Sequence, residues 1–500
     1  MKMGSQGGGA TIPFRMPRGW DSIPVRRQPV NHGQGDGMRN RRNGPRSIGG
    51  ALATGLLAAL LAALPAAAQD TPAPVLNAGD KLLQFDWPAI QVGTGEYEEG
   101  PTGVTVFHFD RRSLAAVDVR GGGPGTVNTD YLRLGYDAPE LDAVIFAGGS
   151  WYGLEATTAV TSALKEDGVR GGHWDNIALS VGAIIYDLGG RRLNEIVPDK
   201  RLAQAAFRAA KPGVFPLGAQ GAGRLAVTGS LFGCNAFSGQ GGAFRQIGQV
   251  KIAAFVVVNA LGVVTTRDGK VAACYGDEGW PKDLTTAALL AGYPASRKPG
   301  WIGAPNADAP ARNTTVSLIV TNQKLKPAEL QRLAIQVHSS MGRALQPFAT
   351  EFDGDVLYAV STGELTDEAA MLPTVDLGVV GGEVMWDAIL ASVPDQPQPA
   401  TPAGKPVLPA DKLAALAGDY VFSPFVTVKV TAEGDALFAQ ATGTRAAFAI
   451  GKEKRTALTP VSATDFMVPG RYPLTLHFDG SGRLVLNPGH WEQIGTRQAS

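Results

Sequence analysis

Two runs in the middle of the chain, "KIAAFVVVNALG" from Lys251 and "TTVSLIVTN" from Thr314, are apolar or β-branched on both alternate faces. Successive side chains of a strand point to opposite sides, so a strand without polar alternation has to bury both. That calls for material stacked above and below the sheet, as in a layered sandwich. The covering material is legible too. Ala156, Val160, Ala163 and Leu164 fall at i, i+4, i+7 and i+8, while Leu330, Leu333, Ala334, Val337 and Met341 fall at i, i+3, i+4, i+7 and i+11, with Pro327 suited to a first helical turn. Both spacings predict amphipathic helices lying on a sheet. "VTVFHFD", "LAAVDVRG" and "LDAVIFAGG" read as further strands, so residues 76–392 are expected to mix helices and strands in layers, an α+β fold.

A chain of 500 residues with 44% hydrophobic and 18% charged residues has ample material for such a core. Lys+Arg and Asp+Glu number 45 each, so no global field draws the chain to nucleic acid or to an anionic membrane surface. Small or neutral partners are expected. His32, His108, His173, His338, His477 and His490 and the two cysteines, Cys234 and Cys274, are scattered without metal-ligand spacing, and no metal or cofactor is expected. The glycines of "RGGGPGT" and "GAQGAG" lack the full dinucleotide fingerprint and are better explained by tight turns and close backbone approach.

The N-terminus points to export. "MRNRRNGPRS" from Met38 is basic, "IGGALATGLLAALLAALP" is apolar but short, and Ala66 and Ala68 suit cleavage after Ala68. Residues 1–68 thus read as an extension plus signal peptide, in which Arg41 and Arg42 offer a twin-arginine pair. The mature chain is expected to be periplasmic or secreted with no stable membrane span, and in an oxidising compartment Cys234 and Cys274 could pair. A Pro-rich stretch at 393–409 has the composition of a stiff exposed linker. Behind it, residues 410–500 alternate in strand fashion, with turns at Glu433-Gly434-Asp435 and Asp479-Gly480, and read as a small antiparallel β domain. It resembles the lipocalin-like modules appended to some secreted serine hydrolases.

The candidate chemistry lies where "ARNTTVSLIV" enters its strand. A Thr hydroxyl is a poor nucleophile unless a base stands beside it, and a free α-amine on the same residue is such a base. Attack of the Thr314 hydroxyl on the Asn313 carbonyl would turn the peptide into an ester, and its hydrolysis would leave Thr314 as a new N-terminus. An α-amine titrates near pH 7.7–8.0, so a useful fraction is neutral at about pH 7. Asn313-Thr314-Thr315 also fits the glycosylation pattern, and Thr-Thr-Val is ordinary strand material, so the tripeptide alone decides nothing.

Across the front domain the chain resembles the DmpA-like aminopeptidase and nylon-oligomer hydrolase family of self-cleaving N-terminal-nucleophile enzymes. The resemblance rests on "GPTGVTVFHFD", "VDVRGGGPGT", "AVIFAGGSWYGLEA", "IIYDLG", "GAQGAG", "VVVNALG", "NTTVSLIVT" and "FDGDVLYAVSTG". It implies a four-layer αββα sandwich, self-cleavage between Asn313 and Thr314, and Thr314 as nucleophile. It implies also that the Asn259 side chain helps form an oxyanion hole, that Asp353 and Asp355 bond the Thr314 amine and hydroxyl, and that Tyr186 contacts the site. Where the nylon-oligomer branch has a Lys, this chain has Ser230 in "LAVTGSLFG". The implied activity is hydrolysis of a small peptide or amide substrate by a homo-oligomer of cleaved pairs. Two alternatives stand beside it: acyl transfer of the ornithine acetyltransferase type, and an uncleaved envelope binding protein without catalysis.

Overall fold

Strand β6 (Val250–Asn259) turns Ala253, Phe255 and Val257 to one side and Ile252, Ala254, Val256 and Val258 to the other, and both sets are buried in separate cores. The computed structural model describes residues 72–234, 236–274, 283–293, 313–398, 408–470, 472–487 and 491–498. The expected signal at 1–68 and most of the loop before Asn313 lie outside the described residues. Strands of two or three residues aside, the front domain has β1 (Ile90–Tyr97), β2 (Thr102–Val119), β3 (Glu140–Ala147), β4 (Ser180–Ile184), β5 (Gln240–Ile247), β6, β7 (Thr314–Gln323) and β8 (Val356–Leu365). Its main helices are α1 (Glu155–Glu166), α2 (Lys200–Arg208), α3 (Pro327–Ser340) and α4 (Thr374–Ala391).

These elements stack in four layers. β5, β6, β7, β8 and the second half of β2 form one sheet, and the first half of β2 with β1, β3 and β4 forms the other. Between the sheets lies an aromatic-rich core in which Phe107, Phe146, Phe215 and Phe255 meet edge to face, tilted or, for Phe107 and Phe215, stacked, at centroid distances of 4.8–5.9 Å. α3 and α4 cover the first sheet through Leu330, Leu333, Ala334, Val337, Val384, Met385 and Ile389. α1 and α2 cover the second through Ala156, Val160, Ala163, Leu164, Leu202 and Ala206. The architecture is an αββα sandwich, α+β in class.

The sequence suggests two strands around "VTVFHFD" and "LAAVDVRG", but the structure makes them one strand of 18 residues. Its register with β3 shifts between His108 and Ser113. Asp110 and Arg111, which look like a turn in sequence, are exposed at the point where the strand passes from one sheet to the other. A polar interruption here marks a crossing between layers rather than an end.

Residues 418–497 build a nine-stranded antiparallel meander whose first strand (Gly418–Ser423) pairs with its last (Gln493–Arg497). Val426, Val428 and Val430 point into its core while Lys429 is exposed, and Gly434 and Gly480 take the positive φ that their turns require. The preceding Pro-rich stretch is not a free tether where it is described. The Gln396 amide bonds both backbone groups of Phe237, at 2.8 and 3.0 Å, and Pro397 is buried. Trp491 stacks on Phe237 at 3.6 Å, so the meander joins the sandwich in one compact unit over residues 69–500.

Cys234 and Cys274 are bonded, across a separation of 40 residues that includes β5 and β6. Closing a loop of that size removes unfolded-state entropy equivalent to about 4 kcal/mol. Replacing both cysteines by Ala is expected to lower stability in urea unfolding by about 2–4 kcal/mol while the circular dichroism spectrum keeps its native shape. An unchanged unfolding midpoint would mean that the bond adds nothing in solution.

Candidate active site

Strand register gathers the residues singled out in the sequence. β6 runs antiparallel to β7 with Asn259 opposite Thr314, and β8 runs parallel to β7 on its other side. A parallel neighbour enters from the same end, so the "FDGD" turn that precedes β8 lies beside Asn313, Thr314 and Thr315, and Asn313 bridges Asp353. Three chain segments thus meet at the mouth of β7.

Around the Asn313-Thr314 peptide the contacts are specific. The Asn313 carbonyl accepts hydrogen bonds from the Gly354 N–H at 2.9 Å and from the Thr314 hydroxyl at 2.6 Å. Its side-chain amide donates to the Ser230 hydroxyl at 3.4 Å. Gly354 has no alternative residue at this place, because a Cβ would stand 2.8 Å from both the Thr314 hydroxyl and the Gly123 carbonyl. The glycines of "RGGGPGT" serve the same turn from behind. A Cβ on Gly121 would meet the Asp355 nitrogen at 2.1 Å, and the Gly123 N–H donates to the Asp353 carbonyl at 2.9 Å.

Asp353 and Asp355 do not bond Thr314 in the continuous chain. Thr314 has a peptide nitrogen here, paired within the sheet, and the carboxylates are taken up by other donors. Asp353 accepts from the Leu261 N–H (3.2 Å), the Thr350 N–H (3.1 Å) and the Thr350 hydroxyl (2.6 Å). Asp355 accepts from the Thr315 N–H (2.6 Å) and the Ala349 N–H (3.0 Å). Burial, and secondly the charge of Asp353, push the Asp355 carboxyl up to about 8. Asn259 is likewise engaged: its amide donates to the Tyr186 carbonyl and accepts from the Val227 N–H, each at 3.0 Å. Tyr186 therefore reaches the site twice, as the acceptor that orients Asn259 and as part of the cleft wall.

That cleft encloses about 870 Å³, a size suited to a small ligand, and Asn313 and Thr314 lie on its surface. Asn259, Asp353 and Asp355 are buried behind it. Sequence reasoning missed the Gly354 N–H, although two acids flanking a glycine beside a strand could have signalled it. It missed also the exposed Trp151 and Tyr152 at the cleft and the wall formed by residues 188–197. One end of that wall is fixed by Asp187, which accepts from the Gly149 N–H and the Thr102 hydroxyl, both at 2.6 Å, and faces Arg192 at 3.6 Å.

The model of peptidase family S58 matches residues 85–394, the sandwich and no more. The chain belongs to that family. Over 337 residues it is 40% identical to a 6-aminohexanoate-oligomer endohydrolase of Paenarthrobacter ureafaciens, a match covering 64% of this chain and 88% of the relative. An uncharacterized aminopeptidase of Mycobacterium bovis is 32% identical over 329 residues, covering 61% and 90%. Among solved structures, a Burkholderia sp. beta-aminopeptidase aligns at 18% identity with a TM-score of 0.44, covering 63% of this chain and 87% of that one. The meander at 418–497 falls beyond the S58 match.

The raised Asp355 carboxyl sets a pH dependence. It titrates near 3.8 when unfolded and near 8 when folded, so the folded S58 chain holds the extra proton between these values. The associated stability is fully present below the unfolded value and is lost as pH rises through about 8. In urea unfolding from pH 5 to 9, the wild type is expected to weaken over this window and Asp355→Asn to weaken less. Equal slopes would remove Asp355 as the cause.

Proposed function

We propose that this chain is an exported amide hydrolase that cuts itself between Asn313 and Thr314 and then uses Thr314 as an N-terminal nucleophile on short peptides or amino-acid oligomers. The observation that carries the reading is the pair of contacts on the Asn313 carbonyl. The Thr314 hydroxyl touches the group it would attack, and the Gly354 N–H stands where charge would develop on the oxygen. Membership of S58 and the amide-hydrolysing relatives support the same reaction class.

The chemistry balances as follows. The Thr314 Oγ adds to the Asn313 carbonyl carbon, the C–N bond breaks, and the departing nitrogen takes the hydroxyl proton, leaving an ester and a free amine. Water hydrolyses the ester to the Asn313 carboxylate and restores the Thr314 hydroxyl. With a substrate amide, the new α-amine accepts the Thr314 hydroxyl proton during attack and passes it to the leaving amine; water then releases the acyl group. Asn259 belongs to the proposal as oxyanion donor, because only one of its two N–H bonds is spent on Tyr186. Asp353 and Asp355 hold the turn that carries the Gly354 N–H, and once the chain is cut they have the new ammonium of Thr314 close by.

Ser230 contributes a neutral hydroxyl to the Asn313 side chain, so the cut proceeds here without an ammonium at that position. Export draws support from the disulfide, which persists in oxidising compartments. Assembly of the cleaved pairs into a homo-oligomer is part of the same proposal.

Intact mass and N-terminal sequencing of the purified protein, beside Thr314→Ala, test the reading. Two chains are expected from the wild type, the second beginning Thr-Thr-Val-Ser, and one uncut chain from the variant, with at least about a thousandfold loss of amide hydrolysis. A wild type that stays whole and inactive favours an uncleaved binding protein instead. Acyl product in place of free acid when an amine acceptor is supplied favours acyl transfer.

A further inference from the structure

The wall formed by residues 188–197 faces two ways. Leu188, Arg192, Asn194 and Glu195 line the cleft, whereas Leu193 between them is buried in the core of the meander. The Gln493 amide clamps this segment, accepting from the Leu193 N–H at 2.5 Å and donating to the Arg191 carbonyl at 2.6 Å. The Arg191 guanidinium lies over Phe237 of the sandwich and over Phe448 and Tyr472 of the meander, at 4.6–5.4 Å. The meander is therefore fixed against the cleft wall rather than held nearby.

One meander residue reaches the cleft itself. Arg445 lines the same cavity as Thr314. Its backbone N–H is anchored on the Phe425 carbonyl at 3.0 Å and its guanidinium rests over the Phe425 ring at 5.3 Å. It makes no ion pair among the described residues. The other guanidinium of the cleft, Arg192, is buried, faces Asp187 at 3.6 Å and donates to the Pro101 carbonyl and the Asn194 side chain, so its charge is balanced internally although its Nη2 has no hydrogen-bond partner among the described residues. Glu195 and Glu351 supply negative charge to the lining. The cleft thus offers both signs, with the positive one coming from a domain beyond the S58 match.

We propose that Arg445 is a substrate-binding residue that receives the free carboxylate at the leaving-group end of a short peptide or amino-acid oligomer, so that the appended meander sets substrate choice. The proposal rests on the amide-hydrolase reading above. A guanidinium presents parallel N–H donors that match a carboxylate and not a neutral amide. An extended oligomer with an ammonium at one end and a carboxylate at the other would find partners for both.

The test uses acid and amide pairs: the linear dimer of 6-aminohexanoate and dialanine, each with a free carboxylate or as the C-terminal primary amide. Release of the N-terminal unit is followed with wild type, Arg445→Ala, Arg445→Lys and Arg445→Glu. For the pair that is cleaved, the wild type is expected to prefer the acid by about tenfold in kcat/KM, mostly through KM. Arg445→Ala should bring that preference to about one, Arg445→Lys should keep part of it, and Arg445→Glu should invert it. A wild type without preference, or an Arg445→Ala protein that keeps it, overturns this inference and leaves the hydrolase reading standing. A wild type that cleaves neither pair overturns this inference and counts against the hydrolase reading with it.

Discussion

The geometry at the mouth of β7 depends on one pairing arrangement: an antiparallel neighbour on one side and a parallel neighbour on the other. The first sets Asn259 across from Thr314, and the second sets the "FDGD" turn alongside. A slip of one residue in either register would turn Thr314 to the opposite face of the sheet and withdraw the Gly354 N–H from the Asn313 carbonyl. Burial on both faces prevents that slip. Val316, Leu318 and Val320 pack into the core between the sheets, while Ile319 packs against α3 and α4. The apolar character of these strands is thus a condition of the chemistry as well as of the fold.

The same burial makes the site costly to build. Asp353 and Asp355 are both nearly inaccessible and lie on either side of one glycine. Backbone N–H groups from Leu261, Thr315, Ala349 and Thr350 compensate them, and these four donors come from three places in the chain. Burial of this turn, and secondly the neighbouring charge of Asp353, is the physical origin of the raised Asp355 carboxyl. Backbone donors are suited to this task because they are fixed by the sheet and carry no side-chain entropy.

Much of the sandwich was legible because its signals are periodic. The helix positions at 156–164 and 330–341 and the apolar strands followed from spacing alone, and they settle into the expected layers. The division of "VTVFHFD" from "LAAVDVRG" misled, since a polar kink within a strand and a turn between strands look alike in sequence. At the site, the family resemblance pointed to Asn313, Thr314, Asn259, Asp353 and Asp355, and the fold brings them together. What sequence could not give was the state of each donor and acceptor. That Asn259 holds Tyr186 and Val227, or that a backbone N–H serves the Asn313 carbonyl, is set by register and leaves no mark on residue identity. The contribution of Arg445 was hidden for another reason: it comes from a different domain, and nothing local to residue 445 announces a neighbour more than a hundred residues away.

The position of β7 inside the sheet bears on what a cut before Thr314 would leave behind. β7 is flanked by β6 from the first fragment and β8 from the second, and β8 is flanked in turn by β2 from the first. The two fragments would alternate across one sheet like interlocked fingers, sharing a common core on both faces. A broken peptide bond would separate them in name only: neither piece could leave without dismantling the sheet, and neither could be expected to fold alone into the shape it has beside the other.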